Sequence, residues 1–568
     1  MVHTIRGRTE ARLSAPRLGC PSWQALLQTE STSVVAAAAM LCLTGLALRL
    51  DQLQVLSFWF DEANAWRISR LPWTAMWDSI ARDAHPPFYF LQQRLWQQMA
   101  GDSISTARIL SLLWGLATIP AAMLLVRALS AESMTAPAAS GRTNLRQKQH
   151  ILAMVLAGLL LACSPLQIEA AQEARPYACL TCLSLLTAWS FWNAWLRPDR
   201  LRLWLGLSIL CGLLSLTHYY ALLLLAGLLI FAALEWFIDA RQQRQASLWK
   251  FRIPGLLGVA ATLQISWLFW FPVFETQYQR ATRQLWMPPV HWEQITQVAW
   301  CTLTSGRHAP APTQVAGLLT LLLWMLVPLL LCLRHQSAGR LLALLILVVP
   351  CGALLYSLQV RSIWGVRYFT FSQAFLLIGI AWLAGTATGK SLRIFTLLGC
   401  LLWCSWSICQ FIESRAALAA HAGLKQAILT LQHHSHAHDR IVVADPFAFP
   451  SIKVAFPEHR RIHLRPSQFH GQDYRSDLLA GPSLQAADFL SPESVLTAPS
   501  SPATGDAAAP PPPCLWTVNT AAPGGAITEV FVPAHRFRLL SEQVFPEFNG
   551  MRFDVVLRQY RLYSTADP

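Results

Sequence analysis

Long apolar runs fill most of the chain up to about residue 412, and short polar segments separate them. A helix that crosses about 30 Å of hydrocarbon needs roughly 20 apolar residues. The pattern therefore predicts about 11 membrane-spanning helices. They lie near residues 33–52, 107–129, 150–165, 176–196, 203–217, 219–238, 254–272, 313–333, 340–357, 368–387 and 394–412.

The remainder of the chain follows a different pattern. The apolar and polar positions of residues 417–432 have the period of an amphipathic helix. Residues 439–446 have the pattern of a buried strand followed by a turn. Further strand candidates lie near Leu515 and after Arg552. The Pro/Ala/Ser-rich segment 496–513 predicts a loop or linker. We therefore expect a small α/β domain over residues 413–568, after a transmembrane domain over 33–412 and an N-terminal segment over 1–32.

Composition agrees with a membrane protein. Of the 568 residues 54% are hydrophobic and only 13% are charged, whereas roughly a quarter of an average soluble protein is charged. This balance excludes a disordered chain and argues against a large soluble enzyme. The net charge of +14 does not predict nucleic-acid binding, because the basic residues stand between apolar runs and not on one soluble face.

The distribution of charge predicts an orientation. Residues 1–411 hold 31 basic and 16 acidic residues, whereas residues 412–568 hold 13 basic and 14 acidic ones. Many of the basic residues of the membrane part lie in alternate short segments, which indicates that those segments face the cytoplasm. The N-terminus is then expected inside. After an odd number of spans, the C-terminal domain is expected outside.

The opposite, outer face receives the long connections, including residues 53–106 and 273–312. Long connections on one side of a membrane protein often build a catalytic or binding layer. Connection 53–106 contains Asp61 and Glu62 just beyond the first span, and later Asp83 and His85 before two prolines that stiffen the backbone. Carboxylates beside a membrane are costly to bury, so they suggest a function.

Other charged and aromatic residues are expected on the same face. Arginines on this face are unexpected, because basic residues favour the cytoplasmic side. Since a guanidinium matches the geometry of a phosphate, these arginines suggest a phosphate-binding site. Simpler readings remain open: solvated acids, a capping Asp, interfacial arginines and an aromatic belt. The candidate binding residues are Asp83, His85, Glu173, Arg175, His218, Tyr219, Arg361, Arg367 and Tyr368.

These residues resemble the motifs of a known group. Asp61-Glu62 in the first outer connection, then Asp83-x-His85-Pro-Pro, then Arg175 at the start of a later span, are similar to the GT-C glycosyltransferases. The nearest resemblance is to the clan of dolichyl-phosphate-mannose protein mannosyltransferases and aminoarabinose transferases, in its bacterial branch. It covers roughly residues 35–410, and the C-terminal domain carries no motif of the group.

The resemblance implies a GT-C fold, a polyprenyl-phosphate-linked sugar as donor, and transfer on the outer face of the bacterial cytoplasmic membrane. The acceptor would be a lipid, a glycan or a protein. Asp61 matches the position of the catalytic acid of the family, and Glu62 matches the second member of the pair. Arg175 matches a residue near the donor phosphate, with Arg361 and Arg367 as further candidates for that role. Attack on the face opposite the phosphate would invert the anomeric carbon.

Metals and other functions stay open at this stage. The resemblance requires no cofactor, although some members of the clan hold a divalent metal. Most cysteines lie in apolar runs and no two CxxC motifs have the spacing of a metal site, and the His-rich segment 433–438 suits a solvated turn better than a metal site. A lipid or solute transporter without transferase chemistry is the main alternative function. A structural or receptor-like protein whose outer domain binds a partner is another.

Overall fold

The structure is a computed structural model of the full chain. It describes residues 32–134, 140–242, 246–283, 287, 289–304, 306–309, 311–334, 336–387, 389–445, 447–456, 462–464, 514–521, 527–528, 530, 532, 534, 536–546 and 554–562. The predicted N-terminal segment 1–32, except its last residue, and the predicted loop 496–513 lie outside the described residues.

The chain is mainly helical up to residue 434. Apolar side chains of several helices meet in one large core, which includes Trp192, Trp382 and Phe375. The helices are α1 (Thr32–Leu50), α2 (Phe60–Arg70), α3 (Trp73–Arg82), α4 (Phe88–Ala100), α5 (Ile104–Met134), α6 (Ser140–Cys163), α7 (Pro165–Gln172), α8 (Tyr177–Leu196), α9 (Leu201–Ser215), α10 (Ala221–Gln242), α11 (Ala246–Arg283), α12 (Trp292–Leu303), α13 (Gln314–Leu333), α14 (Ser337–Gln359), α15 (Thr370–Gly385), α16 (Lys390–Ala420) and α17 (Gly423–His434).

Each of the predicted apolar runs falls on one of these helices. Among the described residues, eight helices are long and apolar enough to cross a membrane, or up to nine if the bent pair α6–α7 counts as one span. Helix α9 is apolar but shorter, with 15 residues, and α8 is not among the eight. The chain is therefore a multi-pass membrane protein, with fewer spans by length and composition than the sequence predicts.

Helices α6 and α7 are bent by 57° at Ser164. Pro165 follows the bend at the first position of α7, where its missing N–H removes no helical hydrogen bond. The bend leaves carbonyl groups at the end of α6 without helical partners. Arg49 of α1, fully buried, donates to the carbonyl oxygens of Leu161 and Ala162, both at 3.1 Å. This intramembrane arginine therefore caps a broken helix.

The C-terminal domain contains strands and helices, as the predicted α/β domain requires, and its sheet is mixed. Strands β1 (Arg440–Val443), β2 (Ile462–Leu464) and β3 (Cys514–Ala521) are parallel, while β5 (Phe537–Phe545) and β6 (Asp554–Leu562) are antiparallel, in the order β2-β1-β3-β6-β5. The short β4 (Ile527–Thr528) also pairs with β3. Helix α17 and a short helix α18 (Phe449–Val454) pack on the sheet through apolar side chains.

The predicted amphipathic helix over 417–432 is divided in the structure. Helix α16 continues from the membrane part to Ala420, and α17 begins after a break at Ala422. Gly423 lies directly against the chain after β5, where an added Cβ would stand 2.5 Å from the carbonyl oxygen of Phe545. The close approach of two backbones at Gly423 accounts for the break, which periodicity alone does not reveal.

Candidate active site

Asp61 lies in the first turn of α2, where the helix dipole favours a negative charge. Its Oδ2 atom is 2.8 Å from Nη1 of Arg367 and 3.7 Å from Nη2 of Arg175. The Arg175 guanidinium also donates to the Asp61 carbonyl oxygen at 3.3 Å. Three residues that are far apart in the sequence thus form one charged cluster, with the Asp61 side chain 20% exposed.

His85 extends this cluster. Its Nδ1 atom is 2.9 Å from Oδ2 of Asp83, and its Nε2 atom is 3.0 Å from Nη2 of Arg175. Because an arginine can only donate, Nε2 accepts and Nδ1 carries the hydrogen that Asp83 accepts. The imidazole in this arrangement is neutral. It joins the turn before the two prolines to the Asp61 cluster.

Electrostatics keep Asp61 ionised. Burial alone would raise the pKa of Asp61, but the positive charges of Arg175 and Arg367 outweigh it and hold the pKa below its ordinary value. Burial and the nearby Arg175 lower the pKa of His85, although Asp83 opposes them in part. At neutral pH the site therefore contains a carboxylate, two guanidinium groups and a neutral imidazole.

Glu62 points away from this cluster. Its side chain is 0% exposed and forms a two-pronged ion pair with Arg108 of α5, at 2.9 Å and 2.7 Å. The same carboxylate accepts from the backbone N–H groups of Ala174 and Trp59. Glu62 thus joins the start of α2 to α5 and to the segment that carries Arg175.

Glu173 belongs to a second buried ion pair. Its Oε1 atom accepts from Nη2 of Arg307, and Oε2 of Glu169 accepts from the backbone N–H of Arg307 at 2.9 Å. Gly306 precedes Arg307 with a φ of +78°, and an added Cβ would stand 2.4 Å from the Glu169 carboxylate. A short 3-10 helix, Gly306–His308, therefore presents Arg307 between two acids on a neighbouring segment.

Aromatic rings surround the charged cluster. His218 lies 5.2 Å from His85, 5.7 Å from Tyr177 and 5.8 Å from Tyr368, measured between ring centroids. The Arg367 guanidinium lies over the rings of Tyr177, Tyr368 and Trp59, at 5.9, 5.3 and 5.0 Å. Contacts between a cation and aromatic faces are favourable and fix the direction of the guanidinium.

Two predicted residues lie outside this arrangement. Tyr219 accepts from Trp270 of α11 at 3.1 Å and donates to Gln277, which in turn donates to the carbonyl oxygens of Ile80 and His85. Through Gln277, Tyr219 thereby supports the backbone of the turn that contains His85. Arg361 hydrogen-bonds the side chain of Tyr356 at the end of α14. The structure gives both residues contacts other than Asp61.

Four residues of this region were not predicted from the sequence: Arg108, Glu169, Tyr177 and Arg307. Arg307 lies in the long connection 273–312 and breaks the orientation bias as Arg175 does, so the same reasoning would have found it. Arg108 is an isolated cation near the start of a span, which is a recognisable signal. Its partner Glu62 is 46 positions away, and no spacing rule predicts that pairing.

The described residues contain one group of three or more His, Cys, Asp or Glu side chains close enough to hold a metal ion. It consists of His436, His438 and Asp439 and lies in the C-terminal domain, where the sequence pointed to a His-rich turn. At the Asp61 cluster the carboxylates already face cations or an imidazole N–H.

Comparison with known proteins identifies a shared fold. No sequence-family model and no curated protein matches the chain. ArnT from Cupriavidus metallidurans in the apo state is similar in structure, with a TM-score of 0.51 at 13% identity over 93% of this chain and 98% of that chain.

The same protein bound to undecaprenyl phosphate gives a TM-score of 0.50 at 12% identity, with the same shares covered. The oligosaccharyltransferase of Archaeoglobus fulgidus gives a TM-score of 0.45 at 12% identity over 78% of this chain and 65% of that chain, which is too low to support an argument. The likeness to ArnT shows a common architecture of membrane bundle and C-terminal domain.

Proposed function

We propose, starting from the GT-C fold that the chain shares with ArnT, that this protein is a membrane glycosyltransferase. It transfers a sugar from a polyprenyl-phosphate donor to the hydroxyl group of an acceptor. The observation that carries the proposal is the Asp61 carboxylate, which is held between the guanidinium groups of Arg175 and Arg367. The structure of ArnT bound to undecaprenyl phosphate supports the choice of donor.

The residue types suit this reaction. The acceptor oxygen attacks the anomeric carbon, the bond from that carbon to the phosphate oxygen breaks, and its electron pair remains on the polyprenyl phosphate. The acceptor proton passes to a carboxylate, and general-base catalysis of this kind typically contributes about 10²- to 10⁴-fold. Positive charge stabilises the phosphate as it gains charge. In this proposal Asp61 accepts the proton, and Arg175 and Arg367 bind the phosphate.

Glu62 has a different part in the proposal from the one its sequence position suggests. With its carboxylate fully buried and engaged by Arg108, Ala174 and Trp59, it fixes the first turn of α2. We therefore propose that Glu62 positions Asp61 and does not itself touch the acceptor. Glu173 is proposed to position Arg307 in the same way, beside Trp59.

The active site is proposed to face the outer side of the bacterial cytoplasmic membrane, with inversion at the anomeric carbon. Support for the side comes from the basic short segments, which lie on the connections that do not contribute to the Asp61 cluster. Support for an acceptor at this face comes from the C-terminal domain, where Phe447 contacts Phe60, the residue before Asp61, at 5.0 Å between ring centroids. A lipid, a glycan or a protein remains the acceptor class.

The test is the Asp61→Asn substitution. Asparagine has nearly the same shape but cannot take the acceptor proton, so we expect sugar transfer to fall by about 10²-fold or more. Transfer is measured by mass spectrometry of envelope glycans and lipid-linked sugars in cells with wild-type or variant protein. Asp78→Asn is the matched control, because Asp78 is an exposed acid of α3 in the same connection.

Two outcomes would contradict the proposal. Near-normal transfer by a stably inserted Asp61→Asn protein would remove Asp61 from the mechanism. Accumulation of a lipid or solute in sealed vesicles without any covalent product would instead support a transporter or flippase. Transporters commonly bind substrate near the middle of the membrane, whereas the residues of the Asp61 cluster lie at the ends of the candidate spans.

A further inference from the structure

Beside the Asp61 cluster, two buried polar atoms have no hydrogen-bond partner among the described residues: Oη of Tyr177 and Nε2 of His218. Tyr177 is 1% exposed and His218 is 5% exposed. More than about 90% of buried polar groups in proteins have a partner. Two unsatisfied atoms on neighbouring rings, 5.7 Å apart between centroids, therefore require an explanation.

The hydrogen-bonding state of His218 is defined by its other nitrogen. Nδ1 accepts from the backbone N–H of Tyr220 at 3.2 Å. The ring hydrogen of the neutral imidazole must then be on Nε2, so this atom is a donor. Burial, together with His85, Arg175 and Arg367, lowers the pKa of His218 well below its ordinary value, which keeps the ring neutral. The Tyr177 hydroxyl is also neutral and can donate.

The surroundings suit a polar but uncharged ligand. The two atoms lie among the rings of His85, Tyr368 and Tyr220, and the Arg367 guanidinium lies over the Tyr177 ring. Arg367 and Arg175 provide the charge that a phosphate requires. Two neutral donors between aromatic rings match the hydroxyl oxygens and C–H faces of a sugar instead.

We infer that Tyr177 and His218 form the subsite for the sugar of the donor, and that each donates one hydrogen bond to a sugar hydroxyl oxygen. This inference rests on the proposed glycosyltransferase function and deepens it. It divides the site into a phosphate part at Arg175 and Arg367 and a sugar part at Tyr177 and His218. Asp61, at 2.8 Å from Arg367 and 3.7 Å from Arg175, adjoins the phosphate part.

The experiment compares two kinds of lipid. Binding to the full-length protein in detergent is measured with undecaprenyl phosphate alone and with undecaprenyl phosphate that carries glucose, mannose, galactose or 4-amino-4-deoxyarabinose. The wild-type protein should bind at least one phosphosugar more tightly than the bare lipid. Tyr177→Phe, which keeps the ring and removes only Oη, should weaken binding of that phosphosugar about 3- to 10-fold, the value of one neutral hydrogen bond.

Tyr177→Phe should leave binding of bare undecaprenyl phosphate within about twofold of wild type, since its charge-assisted bonds to arginine are retained. His218→Phe should show the same selective loss. Tyr89→Phe is the matched control, because the buried Tyr89 hydroxyl is already paired with Ser111 and Gln93. It should leave the ratio between the two lipids unchanged. Thermal unfolding of each variant confirms that it is folded.

Three results would overturn the inference. Equal weakening of both lipids would place the two atoms at the phosphate, and no weakening of either would assign them to ordered water. A wild-type protein that binds bare undecaprenyl phosphate and gains nothing from any of the sugars would also exclude the subsite. Failure of the wild-type protein to bind any of these lipids would contradict the proposed function itself and is thus distinguishable.

Discussion

Asp61 and Glu62 are neighbours in the sequence, but their carboxylates have different surroundings. The helical geometry of α2 directs adjacent side chains about 100° apart. As a result Asp61 faces Arg175 and Arg367, whereas Glu62 faces Arg108 and is completely buried. The paired acids of the motif therefore combine one group available to a substrate with one group that holds the first group in position.

The Glu62–Arg108 pair provides a prediction about stability. Glu62→Gln leaves the buried Arg108 without a charged partner, and breaking a buried ion pair costs about 3–5 kcal/mol. We expect the free energy of unfolding, measured by denaturant titration in detergent, to fall by about that amount. Glu293→Gln, a change at an exposed position in α12, should cost much less. Equal stability of the Glu62→Gln and wild-type proteins would show that the pair is not formed.

The histidines of the site predict how stability depends on pH. The pKa values of His85 and His218 are lowered in the folded protein, so the unfolded chain binds protons first as pH falls below the ordinary value of 6.5. The contribution of these two histidines to stability is therefore fully present above about pH 6.5 and is lost on acidification. Between pH 7 and pH 5, the melting temperature should change less favourably on acidification in the wild type than in His218→Phe. Substitution of the exposed His433 by Gln should leave the wild-type slope unchanged.

At this scale the sequence predicted the chemical types well and the contacts poorly. Asp61, Arg175 and Arg367 were identified because each is a charge at an unusual place relative to a span, and the structure brings them together. Arg361 has the same sequence signal but pairs with Tyr356. A side-chain partner depends on the packing of helices that are distant in the chain, which no local pattern contains.

Among the elements, the short 3-10 helix Gly306–His308 has an influence larger than its length. It inserts Arg307 between Glu169 and Glu173, and the backbone at Gly306 adopts a φ of +78° that side chains rarely tolerate. Arg307 also lies 5.9 Å from the ring of Trp59, next to the start of α2. The element therefore supports both the segment that carries Arg175, through Glu173, and the start of α2, through Trp59.

Gly306→Ala tests that role. An added Cβ would meet the Glu169 carboxylate at 2.4 Å in a backbone conformation that favours glycine, and strain of this kind costs about 1–3 kcal/mol. We expect a lower melting temperature and reduced sugar transfer. Gly258→Ala in α11 is the control, because nothing lies within 4 Å of its added Cβ. If both variants behave like wild type, the contact between Gly306 and Glu169 does not matter.

The elements themselves were largely predictable. Apolar runs of sufficient length predicted the spans, since burial in a bilayer requires continuous apolar sequence, and the strands near Leu515 and after Arg552 are confirmed as β3 and β6. Helix α7 was not foreseen, because residues 166–175 contain several polar side chains and were predicted as a connection, whereas the break before it lies at the predicted end of the span over 150–165. The cause of the break is Pro165 together with the capping by Arg49, a contact between distant segments.

For the molecule as a whole, the predicted fold of a membrane helical bundle with an α/β C-terminal domain is confirmed and is shared with ArnT, and the C-terminal domain is joined to the membrane part beside Asp61. Phe447 contacts Phe60, Lys425 donates to the carbonyl oxygen of Gln54 at 2.6 Å, and Arg67 lies over the ring of Phe449. The domain thus packs against the same connection that contains the catalytic candidate. The sequence predicted the presence of this domain but not where it docks.

These contacts also determine the parity of the membrane crossings. Six segments of the chain meet around Asp61 and His85. They are the connection after α1, the start of α8, the end of α9, the end of α11, the segment before α15 and the domain after α16. A chain that returns to the side it reached after α1 must cross an odd number of times in total. A count of eight spans is even and therefore leaves out a crossing. Nine spans, with α6 and α7 counted as one, or the predicted eleven spans give an odd number.

An odd number of crossings among the described helices requires the start of α1 and the C-terminal sheet to face opposite compartments. With epitope tags fused at Met1 and Pro568, a protease added to spheroplasts should remove only the tag at Pro568, and should remove both tags after the membrane is permeabilised. Loss of both tags from intact spheroplasts would contradict the shared side of α2 and the sheet. The contact between Phe60 and Phe447 thus places the C-terminal domain on the same side of the membrane as α2. This placement requires the number of membrane crossings to be odd.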